Sequence, residues 1–172
     1  MRKIILGVAV SLDGLIEGPR GEYDWCFTDQ DYGMKDFMKR IDAIFYGRKS
    51  YEMMNKAGET LGGNLFAGKE CYVFSNSLKK VAGVHLISGD FVRKVDKIKR
   101  GKGKDIWLFG GASLTASLVN AGLVDELWLA VHPIILGSGK PLFEGIKERH
   151  KTRLIDTKTY PTGLVSLSYQ ID

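Results

Sequence analysis

The chain of 172 residues lacks the features that mark several specialised protein classes. It has two cysteines, and neither Cys26 nor Cys71 belongs to a CxxC pair or a histidine-rich cluster, so we expect two free thiols and no zinc site. No apolar run approaches the roughly 18 residues of a membrane-spanning helix. Because internal repeats and long linkers are also missing, we expect a single cytoplasmic domain over residues 1–172.

Common catalytic and nucleotide-binding signatures are missing too. The histidines, His85, His132 and His150, are dispersed, and no G-x-S-x-G motif is present, so nucleophilic catalysis is not favoured. His132 lies in an apolar segment, where packing is a better interpretation than catalysis. No G-x-G-x-x-G follows the first apolar segment, and residues 134–141 match a P-loop ending only with two mismatches, which favours a turn.

The charge balance is moderately basic, with 25 Lys and Arg against 20 Asp and Glu. Seven of these cations lie within residues 93–104: Arg93, Lys94, Lys97, Lys99, Arg100, Lys102 and Lys104. Two interpretations are open, a solvated helix face with its loop or a nucleic-acid patch. The stretch has no interleaved aromatic residues beyond Phe91, so the solvated face is favoured and nucleic-acid binding is not expected.

Strand and helix patterns alternate over the first 120 residues. Five apolar segments are predicted to be strands: residues 3–10, 42–46, 70–74, 83–87 and 105–109. Four helices are predicted. The spacing of Met34, Phe37 and Met38 indicates the first, and the second begins after Gly47. The third runs from a cap at Asp90 to about residue 100, and the fourth covers about residues 110–120. Residues 126–133, 154–159 and 164–171 read as later strands. The pattern predicts a three-layer α/β/α fold with a mixed, mainly parallel sheet and antiparallel C-terminal strands.

Three strand-to-helix junctions, residues 47–50, 75–77 and 110–113, are candidates for ligand binding. In an open α/β sheet, ligands bind beyond the carboxyl ends of the strands. Arg48 and Lys49 can pair with phosphates, and adjacent glycines at residues 110–111 let a ligand approach the backbone closely. Together these junctions suit an extended anion such as a dinucleotide. A tight turn without a ligand is the alternative for the two glycines.

Several segments occur in an order that is similar to a known superfamily. They are residues 11–16, 46–52, 73–76, 109–112, 125–127 and 133–143. This ordered set resembles the dihydrofolate reductase-like superfamily, and most closely the reductase domain of the riboflavin-biosynthesis deaminase-reductase. The resemblance implies an NADPH-dependent reductase of a small heterocyclic substrate, the fold described above, and a homodimer.

The resemblance also implies which residues bind NADPH. Ala9 and Ile16 would flank the nicotinamide, and Ser75 and Asn76 would line the adenosine end. Arg48 and Lys49 would contact the phosphates, including the 2′-phosphate. The pyrophosphate would lie beside Ser50 and would be held at a helix N-terminus by Gly110, Gly111, Ala112 and Ser113. The family often has a cis peptide between the two glycines.

The chain departs from the riboflavin-pathway pattern at positions that bear on the substrate. Gly7 stands where those reductases usually have lysine, and Phe109 stands where they usually have glutamate. Residues 53–55 also lack the acidic residue found there in many of them. The stretch 47–51 instead resembles dihydrofolate reductase itself. A nucleotide-binding module without turnover therefore stays open as an alternative function.

Dihydrofolate reductase uses a carboxylate on the helix before the second strand to fix its pterin and assist protonation. By that resemblance Asp31, sixteen residues before Gly47, is the catalytic candidate, on the apolar side of the helix. A helix N-cap is the alternative, and Asp29 and Asp36 are weaker rivals. Trp25, Phe27, Met34 and Phe109 are expected to line an apolar substrate pocket, with core packing as the alternative.

Overall fold

The computed structural model describes residues 1–61, 66–79 and 81–172. The helices are α1 (Met34–Arg40), α2 (Arg48–Leu61), α3 (Phe91–Arg100) and α4 (Ala112–Asn120). The strands are β1 (Ile4–Ser11), β2 (Leu15–Glu17), β3 (Ile41–Gly47), β4 (Glu70–Phe74), β5 (His85–Ile87), β6 (Asp105–Gly110), β7 (Glu126–His132), β8 (Lys140–Pro141), β9 (Thr152–Thr159) and β10 (Val165–Ile171).

The main sheet has eight strands in the order β5-β4-β3-β6-β1-β7-β10-β9. Neighbouring strands from β5 to β7 are parallel, whereas β10 runs antiparallel to both β7 and β9. Strands β2 and β8 form a separate two-stranded antiparallel sheet. The mixed, mainly parallel sheet with an antiparallel C-terminal end is the arrangement that the sequence pattern predicts, and that prediction is confirmed.

The two faces of the sheet carry separate apolar cores because successive strand residues point to opposite sides. Ile4 of β1 packs in a cluster with Val95 of α3 and Leu118 of α4. The next residue, Ile5, packs in a second cluster with Phe37 of α1. Helices therefore cover both faces of the sheet, which gives the three-layer arrangement.

Local signals account for the ends of α3 and α4. The Asp90 side chain accepts a hydrogen bond from the Arg93 backbone N–H at 3.3 Å, so it caps α3 as its residue type predicts. Gly122, with φ of 64°, follows α4 and donates its N–H to the Val119 carbonyl at 2.9 Å. Within the described ranges, no helix is long and apolar enough to cross a membrane.

An ion-pair network joins the amino ends of β1, β6 and β7, at the opposite end of the sheet from the strand-to-helix junctions predicted to bind a ligand. The carboxylate of Glu126 is buried and lies 2.6 Å from both Lys3 Nζ and Arg40 Nη2. Arg40, at the end of α1, also pairs with Asp105 at 2.8 Å. These contacts connect α1 to β6 and β7, which fixes where the chain enters β3.

Four of the seven basic residues within 93–104 have side-chain partners in the described part of the chain, and three of those four are exposed. Lys99 is buried, and its ammonium donates to the Leu123 carbonyl at 2.9 Å and to Asp125 Oδ2 at 2.7 Å. Three more of these cations have intramolecular partners: Lys94 with the Ser88 carbonyl, Arg100 with Asp96, and Lys104 with the Lys39 carbonyl. The contacts favour the solvated helix face over a nucleic-acid patch.

Candidate functional site

Parallel pairing of β3 and β6 brings two of the predicted junctions together. Tyr46 of β3 lies opposite Gly110 of β6, so both strands end at the same edge of the sheet. The Ser50 hydroxyl, in the first turn of α2, donates to the Gly110 carbonyl at 3.3 Å. A Cβ atom placed on Gly111 would lie 3.4 Å from Ser50 Oγ. The residues expected to hold a pyrophosphate therefore form one contiguous surface.

Backbone conformation at this surface requires glycine. Gly110 and Gly111 have φ of 110° and 77°, which side-chain-bearing residues rarely adopt, and the peptide bond between them is trans. Helix α4 begins directly afterwards, with Gly111 as N-cap and no side-chain capping bond. The first N–H groups of α4 are consequently left without a capping side chain, and such a helix end is a favourable place for an anion.

Thr115 adds an unsatisfied hydroxyl close to the same place. Its side chain is fully buried, and within the described part of the chain Oγ1 has no hydrogen-bond partner. A Cβ atom placed on Gly110 would lie 3.9 Å from this oxygen. Leaving a buried hydroxyl without a partner costs about 1–3 kcal/mol.

Two cations occupy the first turn of α2. Arg48 and Lys49 are exposed, and that turn contains no acidic residue. Arg48 Nη1 lies 3.0 Å from Glu52 Oε1, with both side chains a little under half exposed. Cations at a helix N-terminus oppose the helix dipole, so their placement becomes favourable when an anion binds between them and the helix end. The residues present thus fit a phosphate-bearing cofactor.

Ser75 and Asn76 lie after β4 and make local hydrogen bonds. Ser75 Oγ accepts from the backbone N–H of Leu78 at 3.0 Å and from that of Ser77 at 3.2 Å. Asn76 Oδ1 accepts from the Gly89 N–H at 3.0 Å. Both side chains therefore shape the loops after β4 and β5, and their contact with a cofactor stays a prediction.

Trp107 fills the space beside Gly7. Its indole N–H donates to the Gly7 carbonyl at 2.8 Å, and a Cβ atom placed on Gly7 would lie 2.7 Å from the indole nitrogen. Phe109 is half-buried next to it, with ring centroids 5.0 Å from Trp107 and 5.2 Å from Tyr46. Burial raises the pKa of the Tyr46 hydroxyl, which stays protonated at neutral pH. This face of β1 and β6 therefore presents an aromatic surface. It leaves no room for a longer side chain at position 7.

Ala9 and Ile16 occupy different surroundings. Ala9 is half-buried, pairs in register with Ala130 of β7, and lies two residues beyond Gly7 on the same face of β1. Two small side chains thus form the sheet surface between the ends of β1 and β7. Ile16, in β2, is half-buried and packs against the core that contains α3 and α4.

Aromatic side chains from the segment before α1 gather on His132 at the end of β7. The Trp25 ring lies 5.3 Å from the imidazole and the Phe27 ring lies 5.0 Å from it, both in edge contacts. Phe27 and Met34 are each a little more than one-third exposed. Since β1 separates β6 from β7, these side chains and Phe109 lie on either side of the end of β1. The surface around Ala9 lies between these two groups, and the predicted substrate cleft would be there.

Asp31 precedes α1 and is exposed, so it does not lie on the apolar side of the helix. Its Oδ1 accepts from the Lys35 N–H at 3.0 Å, and its carbonyl accepts from the Met34 N–H at 2.9 Å. Gly33 and not Asp31 is the N-cap residue of α1, so the N-cap interpretation is wrong in position, and Asp31 supports the helix start by accepting from a first-turn N–H. Its catalytic role stays a prediction. The rival Asp36 is exposed and pairs with Lys39 at 2.8 Å.

Metal and thiol chemistry find little support among the described residues. No group of three or more His, Cys, Asp and Glu side chains there is arranged to hold a metal ion. Both cysteines are free thiols. Burial, with a contribution from the Asp24 carboxylate, raises the pKa of Cys26 to about 11, so this thiol is protonated at neutral pH.

The comparisons with known proteins agree with this geometry. The sequence profile of the RibD C-terminal domain matches residues 2–166. The uncharacterized protein YyaP of Bacillus subtilis (strain 168) is 42% identical over 180 aligned positions, which cover 98% of this chain and 94% of YyaP. The uncharacterized protein YwjB of the same organism is 34% identical, with 92% of each chain covered.

Solved structures show the same fold. A protein from Shewanella sp. PV-4 has 25% identity and a TM-score of 0.85, with 100% of this chain and 99% of that chain covered. Dihydrofolate reductase from Enterococcus faecalis, complexed with NADP(H) and RAB-propyl, has 16% identity and a TM-score of 0.71, with 99% and 96% covered. A third structure has 15% identity and a TM-score of 0.75, and the alignment covers 99% of this chain and 57% of that chain. It is the diaminohydroxyphosphoribosylaminopyrimidine deaminase/5-amino-6-(5-phosphoribosylamino)uracil reductase from Thermotoga maritima.

The sheet topology and the helices on both of its faces therefore give the chain a dihydrofolate reductase-like α/β fold. Within that fold class the chain belongs to the RibD C-terminal domain family, whose profile matches nearly the whole chain.

Proposed function

We propose that this protein is an NADPH-dependent reductase of a small, uncharged heterocycle. The observation that carries the proposal is the start of α4, which lacks a capping side chain and follows Gly110 and Gly111, next to Ser50 and the first-turn cations of α2. This combination suits a ligand with several phosphates. The structural relative from Enterococcus faecalis, which was solved with NADP(H), supports the choice of cofactor.

The proposed cofactor contacts follow from these positions. The pyrophosphate would lie on the backbone of Gly110 to Ser113, including Ala112, with the Ser50 hydroxyl beside it. Arg48 and Lys49 would contact the 2′-phosphate, Ala9 and Ile16 the nicotinamide, and Ser75 and Asn76 the adenosine. When bound, the cofactor supplies the hydride, and the chain binds and orients the two reactants.

An uncharged ring is the proposed substrate because of what surrounds the cleft. Trp107 closes position 7 to a longer side chain, and Phe109 presents an aromatic ring beside it. We place the substrate on the surface around Ala9, between Phe109 on one side and Phe27 on the other, with Trp25 and Met34 behind Phe27. Aromatic walls favour a flat heterocycle, and they offer no charge to neutralise a substrate phosphate.

Asp31 is the proposed proton source for the reduction, since it precedes α1, the helix before the second strand of the main sheet, as the catalytic carboxylate does in dihydrofolate reductase. Asp31→Asn keeps a side-chain oxygen that can accept from the Lys35 N–H, and it removes the acid. We expect the variant to fold as the parent does and to lose about a hundredfold or more in kcat, which is the low end of a general acid's contribution. Unchanged kcat with the parent's unfolding midpoint would leave Asp31 with its role at the helix start alone.

Turnover is tested by following NADPH absorbance with purified protein and a substrate panel. The panel contains dihydrofolate and the ribosylaminopyrimidine of riboflavin biosynthesis, each with and without its phosphate where one exists. The proposal predicts oxidation of NADPH with an unphosphorylated ring. Tight NADPH binding without oxidation by any member would favour the alternative, a nucleotide-binding module without turnover, which the unusual Gly7 and Phe109 motivate.

We also propose a homodimer built on β9, with a second copy of this chain as the partner. All eight residues of this outer strand are exposed, and Leu154 and Ile155 are 48% and 43% exposed. Exposed aliphatic residues on an edge strand are a ready pairing surface. Sedimentation should show a dimer for the parent and for Val92→Asp, a control at a similarly exposed aliphatic residue of α3, and a monomer for Leu154→Asp with Ile155→Asp. A monomeric parent would contradict the proposal.

A cytoplasmic location for one domain over residues 1–172 completes the proposal. The two free thiols agree with a reducing compartment. Fractionation of cells that express the whole chain tests the location.

A further inference from the structure

His132 occupies a buried position at the carboxyl end of β7. It is 3% exposed and lies opposite Ser11 of β1. Its Nδ1 is 2.9 Å from the Ala130 carbonyl, and its Nε2 is 3.0 Å from the Phe27 backbone nitrogen. A carbonyl only accepts and a backbone N–H only donates. The ring is therefore neutral, with its proton on Nδ1 and the lone pair of Nε2 accepting the Phe27 N–H.

The protonation state is consistent with the surroundings of the ring. Burial lowers the pKa of His132 from its ordinary value, which favours the neutral form. The rings of Trp25 and Phe27 cover the imidazole by edge contacts. A second proton on Nε2 would oppose the Phe27 N–H donor and leave that N–H without an acceptor.

The segment that His132 contacts has few other anchors. Among the described residues, the other hydrogen bonds of residues 19–31 join neighbours in the same segment, Gly18 directly before it, or the start of α1. Examples are Cys26 N–H to the Tyr23 carbonyl and the Tyr32 hydroxyl to Asp29. The bond from Phe27 to His132 spans 105 residues and connects the middle of this segment to the main sheet.

We propose that His132 is a positioning residue that fastens residues 19–31 over the end of β7 and thereby sets Trp25 and Phe27 at the wall of the substrate cleft. The role in the cleft rests on the proposed reductase function. The attachment of the segment rests on the hydrogen bonds alone. His132 contacts neither cofactor nor substrate in this assignment, and it acts through Phe27.

Two amide substitutions separate the two hydrogen bonds of the ring. His132→Asn keeps a donor near the position of Nδ1, for the Ala130 carbonyl, and removes the acceptor for Phe27. His132→Gln keeps an acceptor near the position of Nε2. Both variants lose the aromatic ring and each keeps one of the two hydrogen bonds, so slower exchange of residues 21–30 in the Gln variant than in the Asn variant reports the Phe27 bond. His85→Gln, at an exposed histidine that stacks on Tyr72, is the matched control.

Hydrogen exchange of the full chain is the main readout. We expect His132→Asn to speed exchange in peptides covering residues 21–30 about fivefold or more, which corresponds to the loss of one ordinary hydrogen bond. His132→Gln should restore most of the protection, and His85→Gln should not alter it. Peptides from β1 and β6 should exchange as in the parent. Equal exchange in the Asn and Gln variants, or faster exchange throughout the sheet, would overturn the proposal.

A measurement on the unaltered protein keeps the test independent of variant folding. Nitrogen NMR of His132 should show Nδ1 as the protonated nitrogen and Nε2 as the acceptor, and the opposite tautomer would contradict the assignment. Once a substrate is found, His132→Asn should raise its KM at least fivefold while the NADPH Kd stays unchanged. If no substrate is reduced, the proposed function fails, whereas the exchange experiment still decides whether His132 holds the segment.

Discussion

Replacing Gly7 with alanine tests whether Trp107 closes the position beside it. The new Cβ atom would lie 2.7 Å from Trp107 Nε1, 3.1 Å from its Cδ1 and 3.3 Å from Trp128 Cε3. Trp107 is 4% exposed, and its ring contacts Phe37 and Phe109, so the indole has little space into which to move. Overpacking of this kind costs about 1–3 kcal/mol. Alanine in a strand regains about 0.5–1 kcal/mol over glycine, so we expect a net loss of stability.

Urea unfolding measures this loss, and a double-mutant cycle assigns it to Trp107. A net cost of about 1–2 kcal/mol corresponds to a fall in Tm of roughly 2–8 °C for a chain of this size. Trp107→Leu removes the indole atoms nearest the new Cβ, so Gly7→Ala should cost at least about 1 kcal/mol less in that background. A neutral alanine with equal effects in both backgrounds would refute the reasoning, because it would leave position 7 open to a side chain that contacts substrate.

Three further changes test the cofactor surface and the buried ion pair. Arg48→Ala should weaken NADPH ten- to a hundredfold more than NADH in a fluorescence titration, since a charge-assisted contact is worth about 1.5–3 kcal/mol; equal losses would move Arg48 to the pyrophosphate. Gly111→Ala should lower stability by about 1–2 kcal/mol in thermal unfolding, because its φ of 77° is unfavourable for alanine; an unchanged Tm would contradict this. Lys99→Met should cost up to about 3 kcal/mol in urea because it leaves Asp125 without its cation, whereas the exposed Lys97→Met should stay within about 0.5 kcal/mol.

The elements with strong local signals were predictable from the sequence. The bounds of β4 agree with the apolar run 70–74, and α3 begins at the Asp90 cap and ends at Arg100 as predicted. Strands β2 and β8 were not predicted, because three and two residues are too few to show a strand period. Their pairing depends on contacts between distant parts of the chain, which a local pattern does not contain.

The candidate site divides in the same way. The closeness of Ser50 and Gly110 was foreseeable, since parallel neighbouring strands end at one edge of the sheet. The local bonds of Ser75 were not, because a hydroxyl after a strand suits a turn and a ligand equally. The bond between His132 and Phe27 leaves no signal in the sequence, and packing was the only role that the residue type favoured. Whether the chain forms one domain stays a prediction.

The central claim is that the glycine-rich start of α4 and the cations of α2 bind NADPH. Titration of the purified protein with NADPH and with NADH, followed by nicotinamide fluorescence, tests this claim most directly. The account predicts saturable NADPH binding, and NADH binding at least tenfold weaker because NADH lacks the 2′-phosphate that Arg48 and Lys49 would contact. Absence of binding by either nucleotide would contradict the account and would separate the fold of this chain from the cofactor of its structural relatives.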